Sequence, residues 1–448
     1  MTVSFFHAYD LRGRYPDELG EDEALRVGKA FGTLVDADEV LVGRDGRMHG
    51  KDVANAFIDG ITSTGTDVLY AGMEPTPVIY FGTDYLDVEA SAAVTASHNP
   101  PEYTGFKFSK QNALAMSREG GMAEMERIYA AEEFDEVGEG EKGEVEDVEL
   151  EDDYVEFVKE RIDLKEEIDV AVNFGNGVTA EIGRRVLEEI GCNVESINDT
   201  IDGDFPNHLP APGEKEAQEQ LSEILEGKDL GILFDGDGDR AGFMVDGKYV
   251  EGDDMLAIFS EECLKRKTGK VVYGLRSSKV VPETIEENGG EPVESRVGHT
   301  FISETIHADT DVVFAGEVSG HFYFPVLDVP WDDGIFAAAF VCQIATERAL
   351  AEVINALPNY PVSPELRIDC PEHAKAGVVE RVKEKYADEE VSTVDGAKVF
   401  FDDGWALVRP SNTEEKMSVR CEADTEEALD RILDDVEGAV REAIEELR

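Results

Sequence analysis

The sequence of 448 residues has few positive charges and few cysteines. Lysine and arginine together number 41 against 100 aspartates and glutamates, which gives a formal net charge of −59 at pH 7. A surface this negative repels nucleic-acid phosphates and anionic lipid head groups. We therefore expect no nucleic-acid partner and no membrane-surface partner.

Cysteine pairs, a leader segment and a long apolar run are also lacking. The five cysteines are scattered and never spaced as C-x-x-C, which is typical of a reducing compartment and provides no zinc site. No basic stretch followed by an apolar core opens the chain, so no signal peptide is predicted. The longest nearly apolar run, residues 334–345, is too short to cross a bilayer and predicts a buried helix. These features together predict a soluble, cytoplasmic protein.

The acidic residues are spread along the chain and are not collected in one tail. A folded protein with this distributed charge repels itself at ordinary ionic strength. In molar salt the Debye length falls to about 3 Å, and the repulsion is screened. We therefore expect the salt-rich cytoplasm of an extreme halophile, with an acidic protein of ordinary ionic strength as the alternative.

Strand-like apolar runs such as EVLVG and DLGILFDG alternate with amphipathic helical stretches such as AEIGRRVLEEIG. This alternation predicts α/β units with mainly parallel sheets. An acidic stretch, a Gly-Asp-Asp turn and a proline-rich segment suggest where these units end. The predicted division is three α/β domains at residues 1–150, 151–252 and 253–360, and a smaller α+β domain at residues 361–448.

Four polar loops each follow an apolar strand, and α/β sheets bind ligands beyond the carboxyl ends of their strands. The first loop places Ser97 beside His98 and two prolines, with Lys107 shortly after it. A serine in this setting can act as a nucleophile or carry a phosphoryl group, with His98 and Lys107 near its charge. The local sequence alone favours a plain turn without chemistry.

The second loop holds Asp235, Asp237 and Asp239 at alternate positions, separated by glycines. Three such carboxylates converge on one hard cation, and without a cation their mutual repulsion is costly. An EF-hand would need Gly at the sixth position and Glu at the twelfth, where this chain has Arg240 and Asp246. The loop therefore predicts a Mg²⁺ site open to phosphate oxygens, with a solvated acidic turn as the alternative.

The third loop contains Glu317, Ser319 and His321 in the segment GEVSGH. Glu317 and Ser319 offer the acceptor and donor that sugar hydroxyls require, and His321 can donate to a phosphate or exchange a proton near neutral pH. Taken alone, this segment is more simply explained as a glycine-rich turn.

The fourth loop brings a guanidinium, two hydroxyls and an amide into one turn. Its polar residues are Arg409, Ser411, Asn412 and Thr413. Such a turn is well equipped to bind a phosphate, and a polar turn with a helix cap accounts for it equally well. Arg12, in a glycine turn near the N-terminus, is a further basic candidate.

Taken together, six segments resemble the α-D-phosphohexomutase family, which includes phosphomannomutase/phosphoglucomutase and its relatives. The segments, in family order and spacing, are AYDLRG, TASHNP, DGDGDR, RVGHTF, GEVSGH and RPSNTE. The resemblance covers nearly the whole chain and implies four domains around a central cleft, three alike and the last smaller. It also implies a small sugar phosphate as substrate, Mg²⁺ as cofactor and a hexose 1,6-bisphosphate as activator.

By this resemblance, Ser97 is the phosphoserine that passes a phosphoryl group between the 1- and 6-positions of mannose or glucose through a bisphosphate. The metal ligands implied are Asp235, Asp237, Asp239 and the phosphate of Ser97. The substrate-binding residues implied are Glu317 and Ser319 for the sugar hydroxyls, and Arg409, Ser411, Asn412 and Thr413 for the phosphate that is not transferred. The remaining catalytic residues implied are Arg12, His98, Arg240, and Lys107 and His321 as general acid and base.

Three alternatives remain. GE-x-SGH with a small apolar residue resembles phosphomannomutase/phosphoglucomutase more than phosphoglucosamine mutase, which is the runner-up. A non-catalytic sugar-phosphate binder would have lost Ser97 or an aspartate, and none is lost. A Mg²⁺-dependent phosphatase with Asp235 as nucleophile would leave the first and fourth loops unexplained.

Overall fold

The computed structural model describes residues 4–7, 10–411 and 415–447. Its strands form four sheets, each from one stretch of the chain. The elements of the first unit are β1 (Leu11–Arg14), α1 (Glu21–Val35), β2 (Glu39–Arg44), α2 (Gly50–Thr62), β3 (Asp67–Met73), α3 (Thr76–Tyr85), β4 (Ala90–Val94), β5 (Tyr103–Lys110), β6 (Leu114–Ala115), α4 (Ala123–Ala131) and β7 (Val145–Asp147). The sheet order is β1-β5-β4-β2-β3-β7, with β6 paired to β5.

The second and third units repeat this plan. The second contains α5 (Glu151–Lys159), β8 (Ile168–Asn173), α6 (Ile182–Ile190), β9 (Cys192–Ile197), α7 (Lys215–Ser222), β10 (Leu230–Phe234), β11 (Ala241–Val245) and β12 (Lys248–Val250). The third contains α8 (Gly252–Arg266), β13 (Lys270–Gly274), α9 (Val280–Glu287), β14 (Glu291–Ser295), α10 (His299–Ala308), β15 (Val312–Gly316), β16 (Phe322–Tyr323), α11 (Gly334–Glu347) and α12 (Leu350–Ala356). Their sheet orders are β12-β11-β10-β8-β9 and β14-β13-β15-β16.

The fourth unit is built differently. It contains β17 (Leu366–Asp369), α13 (Lys375–Lys385), β18 (Glu390–Ser392), β19 (Ala397–Phe401), β20 (Gly404–Pro410), β21 (Lys416–Ala423) and α14 (Glu426–Leu447). All its strand pairs are antiparallel, in the order β17-β21-β20-β19-β18. The predicted α+β character of the last unit is confirmed.

The predicted α/β class of the first three units is also confirmed. Parallel pairs such as β2–β4, β8–β10 and β13–β15 lie within these sheets, and antiparallel strands close one edge of each. The antiparallel edges arise because short loops after β4, β10 and β15 send the chain back beside the strand it has just left. Those loops are the ones singled out above.

One large buried apolar cluster runs through the first three units, and the fourth has a cluster of its own. The apolar stretch predicted as a buried helix is α11, which is buried from Gly334 to Ile344. Among the described residues no single helix is both long and apolar enough to cross a membrane, although the bent pair α11 and α12 passes on length and composition together.

Candidate active site

Three fully buried strands end at one cleft. The residues of β4, β10 and β15 are all buried, as their apolar sequences predict, and each is followed by a polar loop. The cleft has a volume of about 980 Å³. Predicted site residues that line it are Arg12, His98, Lys107, Asp239, Arg240, Glu317, Ser319 and His321. Three distant stretches of chain therefore supply one site.

Ser97 is fully buried and directly precedes His98, which lines the cleft. Its Oγ donates to Oδ2 of Asp235 over 2.9 Å and lies 3.1 Å from Nδ1 of His98. Its backbone φ is +49°, a left-handed conformation that residues other than glycine rarely adopt. Gly236 allows the two loops to approach, because a Cβ there would lie 2.5 Å from the carbonyl oxygen of Ser97. The serine is thus held in strained backbone against the acidic loop.

The carboxylates of Asp235, Asp237 and Asp239 are fully buried, and one oxygen of each lies within 4.8 Å of the others. Among the described residues, Oδ1 of Asp237 and Oδ1 of Asp239 have no hydrogen-bond partner. Burial, together with the charges of Asp239 and Asp237, raises the pKa of Asp235 well above its ordinary value. Three converging carboxylates with unused oxygens are the donor set that suits Mg²⁺.

Lys107 supplies positive charge beside these carboxylates. Its Nζ donates to Oδ2 of Asp237 over 2.8 Å and also bonds to Asp239. Burial lowers the pKa of Lys107, but the charges of Asp237 and Asp239 outweigh it and raise the pKa. Hydroxyls of Thr76 and Thr95 lie 2.8 and 3.2 Å from the same oxygen of Asp237. Lys107 and Thr76 therefore orient Asp237, and the hydroxyl of Thr95, which donates to Asp45 over 2.8 Å, lies beside the same oxygen.

The imidazole of His98 is neutral. Arg12 donates a hydrogen bond to the loop that carries His98. The charge of Arg240, then burial and the charge of Arg12, lower the pKa of His98 to about 2. Arg12 donates to Asp10 and to Oδ1 of Asn99, each over 2.8 Å, and faces the cleft. A neutral imidazole beside Ser97 can accept the proton of the hydroxyl or donate to a neighbouring oxygen.

The third loop touches the second. Nδ1 of His321 lies 3.3 Å from Oε2 of Glu317 and 3.3 Å from the hydroxyl of Ser319, and its Nε2 lies 3.0 Å from Nε of Arg240 and 3.5 Å from Oδ2 of Asp239. Burial raises the pKa of Glu317, but His321 outweighs it and lowers the pKa to about 2. Burial and Arg240 lower the pKa of His321, but Asp239 and Glu317 outweigh them and raise it to about 9. Glu317 is therefore an ionised acceptor at the cleft.

The fourth loop lines a second cavity of about 190 Å³. Arg276 and Val297 line both this cavity and the main cleft, so the two are neighbours. Its polar lining residues are Arg276, Glu365, Arg367, Arg409, Ser411, Lys416 and Ser418. Four cations from two units thus gather in a protein that is otherwise strongly acidic. Of the predicted residues of this loop, Asn412 and Thr413 lie outside the described residues.

The predicted set of site residues left out Arg276 and Asp332, which the structure places beside it. Arg276 follows β13, whose pairing with β15 places it at the same sheet edge as Glu317, a signal that topology would have given. Asp332 is buried, with Oδ2 3.2 Å from Nδ1 of His299 and 3.8 Å from Nε2 of His321. No local pattern points to these contacts, because they join separate loops of the third unit.

Comparison with known proteins gives a consistent result along the chain. Residues 4–136, 152–248 and 251–360 match the families described as phosphoglucomutase/phosphomannomutase alpha/beta/alpha domains I, II and III, and residues 365–439 match the C-terminal domain of the same set.

Three curated relatives are similar over at least 94% of their length. The phosphomannomutase/phosphoglucomutase of Pseudomonas aeruginosa is 34% identical over 443 residues, which cover 96% of this chain and 94% of that protein. The phosphomannomutase of Methanocaldococcus jannaschii is 35% identical over 97% of both chains. A probable phosphoglucosamine mutase of Methanopyrus kandleri is 35% identical over 99% of both.

Two solved structures share the architecture. The crystal structure of a phosphoglucomutase/phosphomannomutase family protein from Burkholderia thailandensis is 33% identical, has a TM-score of 0.92, and is matched over 99% of this chain and 98% of that one. The N-acetylphosphoglucosamine mutase of Aspergillus fumigatus, in complex with GlcNAc-6P and magnesium, has a TM-score of 0.63 at 14% identity, over 99% and 96% of the two chains. The latter likeness shows the fold alone.

Proposed function

Because the chain belongs to the phosphoglucomutase/phosphomannomutase family and is a hexose-phosphate mutase, we propose that it interconverts the 1- and 6-phosphates of mannose and glucose through a phosphoserine at Ser97. The observation that carries this proposal is the contact of Ser97 Oγ with Asp235 Oδ2, 2.9 Å apart, where three strands end at one cleft. A nucleophile and a hard-cation site in contact are the two parts that phosphoryl transfer needs.

Mg²⁺ is the proposed cofactor. Asp235, Asp237 and Asp239 would hold it together with a phosphate oxygen on Ser97, and the unused oxygens of Asp237 and Asp239 support this assignment. The ion supplies neutralisation of the charge on the transferring phosphoryl oxygens. The A. fumigatus mutase that shares the fold was solved with magnesium, which agrees with the proposal.

The side chains at the cleft have distinct proposed roles. The residues that surround the phosphoryl group are Arg12, Arg240 and His98. Their hydrogen-bond donors stabilise the negative charge of its oxygens during transfer. Lys107 and His321 are the proposed general acid and base, since both face the cleft within reach of the acidic loop.

Substrate recognition is assigned to the third and fourth loops. Glu317 and Ser319 are the proposed partners of the sugar's 3- and 4-hydroxyls, because an ionised carboxylate and a hydroxyl face the cleft there. Arg409 and Ser411, with Arg276, are the proposed clamp for the phosphate that is not transferred.

The clamp on the fourth unit lies apart from the reacting centre. The hexose 1,6-bisphosphate formed in the first half-reaction must turn over so that its other phosphate reaches Ser97. A clamp that binds either end of the sugar suits this step. Asn412 and Thr413 complete the clamp by the family resemblance, and the bisphosphate serves as the activator that phosphorylates Ser97.

Phosphoglucosamine mutase is the second candidate. The similarity to the M. kandleri protein, a probable phosphoglucosamine mutase, favours it as strongly by identity as the other relatives favour the first. Glucose, mannose and glucosamine differ at C2, and contacts to the 3- and 4-hydroxyls do not separate them.

A salt-rich cytoplasm is the proposed setting. The net charge of −59 supports it, since the charge is spread over the chain and is best tolerated when it is screened.

A coupled mutase assay in molar KCl with Mg²⁺ and a trace of hexose 1,6-bisphosphate tests the proposal. Glucose 1-phosphate, mannose 1-phosphate and glucosamine 1-phosphate are compared for the wild type, Ser97→Ala and Ser109→Ala. Ser109 is a matched control, because it is also buried in the first unit and its hydroxyl has no hydrogen-bond partner among the described residues. We expect turnover of the first two sugars, lost only in Ser97→Ala.

The other outcomes discriminate between the candidates. A strong preference for glucosamine 1-phosphate would assign the protein to the second candidate. Turnover that survives in Ser97→Ala would contradict the phosphoserine mechanism. No turnover by a folded wild type would leave only a sugar-phosphate binder.

A further inference from the structure

Arg47 lies in the turn after β2, directly under the loop that carries Ser97. It is 2% exposed and does not line the cleft. Its two terminal nitrogens donate to four backbone carbonyls of that loop, those of Ser97 (2.9 Å), Asn99 (2.7 Å), Pro100 (2.7 Å) and Tyr103 (3.1 Å). Its Nε donates to Oδ2 of Asp45 over 3.1 Å. All five N–H groups of the guanidinium are therefore used.

A second path of hydrogen bonds reaches the other side of Ser97. Oδ2 of Asp45 also accepts from the hydroxyl of Thr95 over 2.8 Å, and that hydroxyl accepts from the backbone N–H of Ser97 over 2.8 Å. Arg47 thus donates directly to the carbonyl of Ser97. It is linked to the backbone N–H of Ser97 through Asp45 and Thr95. The peptide groups on both sides of the strained φ of +49° are tied to one guanidinium.

Residues of the second unit pack over Arg47 and exclude water from its guanidinium. The guanidinium of Arg47 lies 5.1 Å from the centre of the Phe205 ring. A Cβ at Gly203 would lie 2.6 Å from Cα of Arg47 and from the carbonyl oxygen of Gly46, so only glycine allows this close packing. Hydrogen bonds to a charged group are stronger where water is excluded.

We propose that Arg47 is a positioning residue that holds Ser97 in the conformation that directs its Oγ at Asp235. Among the described residues its guanidinium makes no hydrogen bond to Asp235, Asp237 or Asp239, and it does not line the cleft, so it acts through the backbone of the serine loop. A left-handed serine persists only where the surrounding structure enforces it. Lysine cannot take over this role, because its three N–H donors diverge from one point and lack the planar fork. The inference rests on the proposed phosphoserine at Ser97.

The test compares Arg47→Lys with a matched variant, Arg161→Lys. Arg161 also donates to two backbone carbonyls, those of Phe157 and Leu327, each over 3.0 Å, and stacks 3.8 Å from the ring of Phe157. It lies away from the cleft. Both variants keep the charge and lose a guanidinium that donates to backbone carbonyls, so a loss of stability from those bonds alone would appear in both.

The measurements are kcat, KM for the sugar phosphate, and the rate at which hexose 1,6-bisphosphate phosphorylates Ser97, followed by intact mass. All are made well below the unfolding midpoint. Misplacement of a reacting atom by about 1 Å costs on the order of 100-fold in rate. For Arg47→Lys we therefore expect kcat and the phosphorylation rate to fall about 100-fold with KM within about twofold, while Arg161→Lys keeps wild-type values.

Wild-type kcat and phosphorylation rate in folded Arg47→Lys would overturn the inference. If Arg47→Lys does not fold, Phe205→Leu replaces it, because it removes the aromatic cover and leaves the fork in place. A lower kcat and a lower phosphorylation rate with unchanged KM in Phe205→Leu support the inference, and wild-type values overturn it. A wild-type protein that takes no phosphoryl group on Ser97 would refute the proposed function, and this inference with it.

Discussion

Ser97 donates a hydrogen bond to Asp235, 138 positions further along the chain, and this bond joins the first unit to the second. The serine and the acidic loop are thus in contact without any substrate. The contact depends on Gly236, where a side chain would collide with the Ser97 carbonyl. The contact between the proposed nucleophile and the proposed metal site is therefore part of the fold itself.

Replacing Asp237 by Asn should weaken the proposed metal site. Asn offers one neutral oxygen in place of a carboxylate, and Lys107 and Thr76 then donate to a weaker acceptor. We expect the apparent affinity for Mg²⁺ to fall at least about 10-fold and kcat at least about 100-fold. Mg²⁺ titrations of activity and of binding heat measure both.

The control for this variant is Asp246→Asn. Asp246 is exposed and follows β11, on the far side of the same hairpin. Its φ of +51° suits Asn as well as Asp, so the change should leave Mg²⁺ dependence as it is. An Asp237→Asn protein with the Mg²⁺ dependence of the wild type would rule out the acidic loop as the metal site.

The acidic loop was predictable because a short stretch of sequence determines both its chemistry and its position after a strand. An apolar strand, then alternating aspartates and glycines, point to β10 and to a cation site without knowledge of any partner. The alternation of strands and helices likewise predicted the first three units. For the fourth unit the sequence predicted the α+β class but not the strand order β17-β21-β20-β19-β18.

The contacts between loops were not predictable. Nothing near Lys107 in sequence shows that it will meet Asp237, and nothing near Arg47 shows four carbonyl partners. The Lys107 contact depends on the packing of the first unit against the second, and the Arg47 contacts depend on packing within the first unit, neither of which any periodicity encodes. Buried polar groups must find partners wherever the fold brings them, so their pairing follows from the three-dimensional structure.

Arg276→Ala should impair binding of the phosphate that is not transferred. Arg276 lines both cavities and, with Arg409 and Lys416, surrounds the smaller one. Loss of a charge-assisted hydrogen bond costs about 1.5–3 kcal/mol. We expect KM for hexose 1-phosphate and 6-phosphate to rise about 10- to 100-fold, with a smaller effect on kcat.

Arg266→Ala is the matched control for Arg276→Ala. Arg266 ends α8 in the same unit, and its guanidinium lies 4.9 Å from the ring centre of Phe340, away from both cavities. Steady-state kinetics with each substrate should show the KM effect for Arg276 alone. Equal KM values for Arg276→Ala and the wild type would show that Arg276 is not part of the phosphate clamp.

Because of the buried carboxyl group of Glu74, we expect the free energy of unfolding to fall as the pH rises. Burial, and then the charges of Glu151 and Glu181, raise the pKa of Glu74 from 4.5 to about 8. Between these values the folded protein holds a proton that the unfolded chain has released, so each rise in pH favours unfolding. Glu74→Gln removes this penalty and should be more stable than the wild type by a few kcal/mol above about pH 8.

Urea unfolding at several pH values between about 5 and 9, in fixed KCl, measures the effect. Glu139→Gln is the control, because the side chain of Glu139 is 88% exposed. Its stability should follow the wild type at every pH. If the free energy of unfolding changes with pH in the same way in Glu74→Gln and in the wild type, Glu74 ionises in the folded protein as easily as in the unfolded chain, and the prediction is wrong.

Salt should stabilise the fold by screening its acidic surface. At a net charge of −59, raising KCl from about 0.1 M to about 2 M shortens the Debye length from about 10 Å to a few Å. We expect the unfolding midpoint to rise by about 10 °C or more over this range. Salt also strengthens burial of apolar groups, so a rise alone does not identify its cause.

A variant of α14 separates the two effects of salt. Its exposed acidic residues to be replaced by Gln or Asn are Glu427, Asp430, Asp434, Glu442 and Glu445. With less charge to screen, the variant should unfold at a higher temperature than the wild type in dilute KCl, and the two curves should converge at high KCl. Curves that stay parallel at every salt concentration would attribute the gain to apolar burial, because screening would shrink the difference that the five removed charges make as KCl rises.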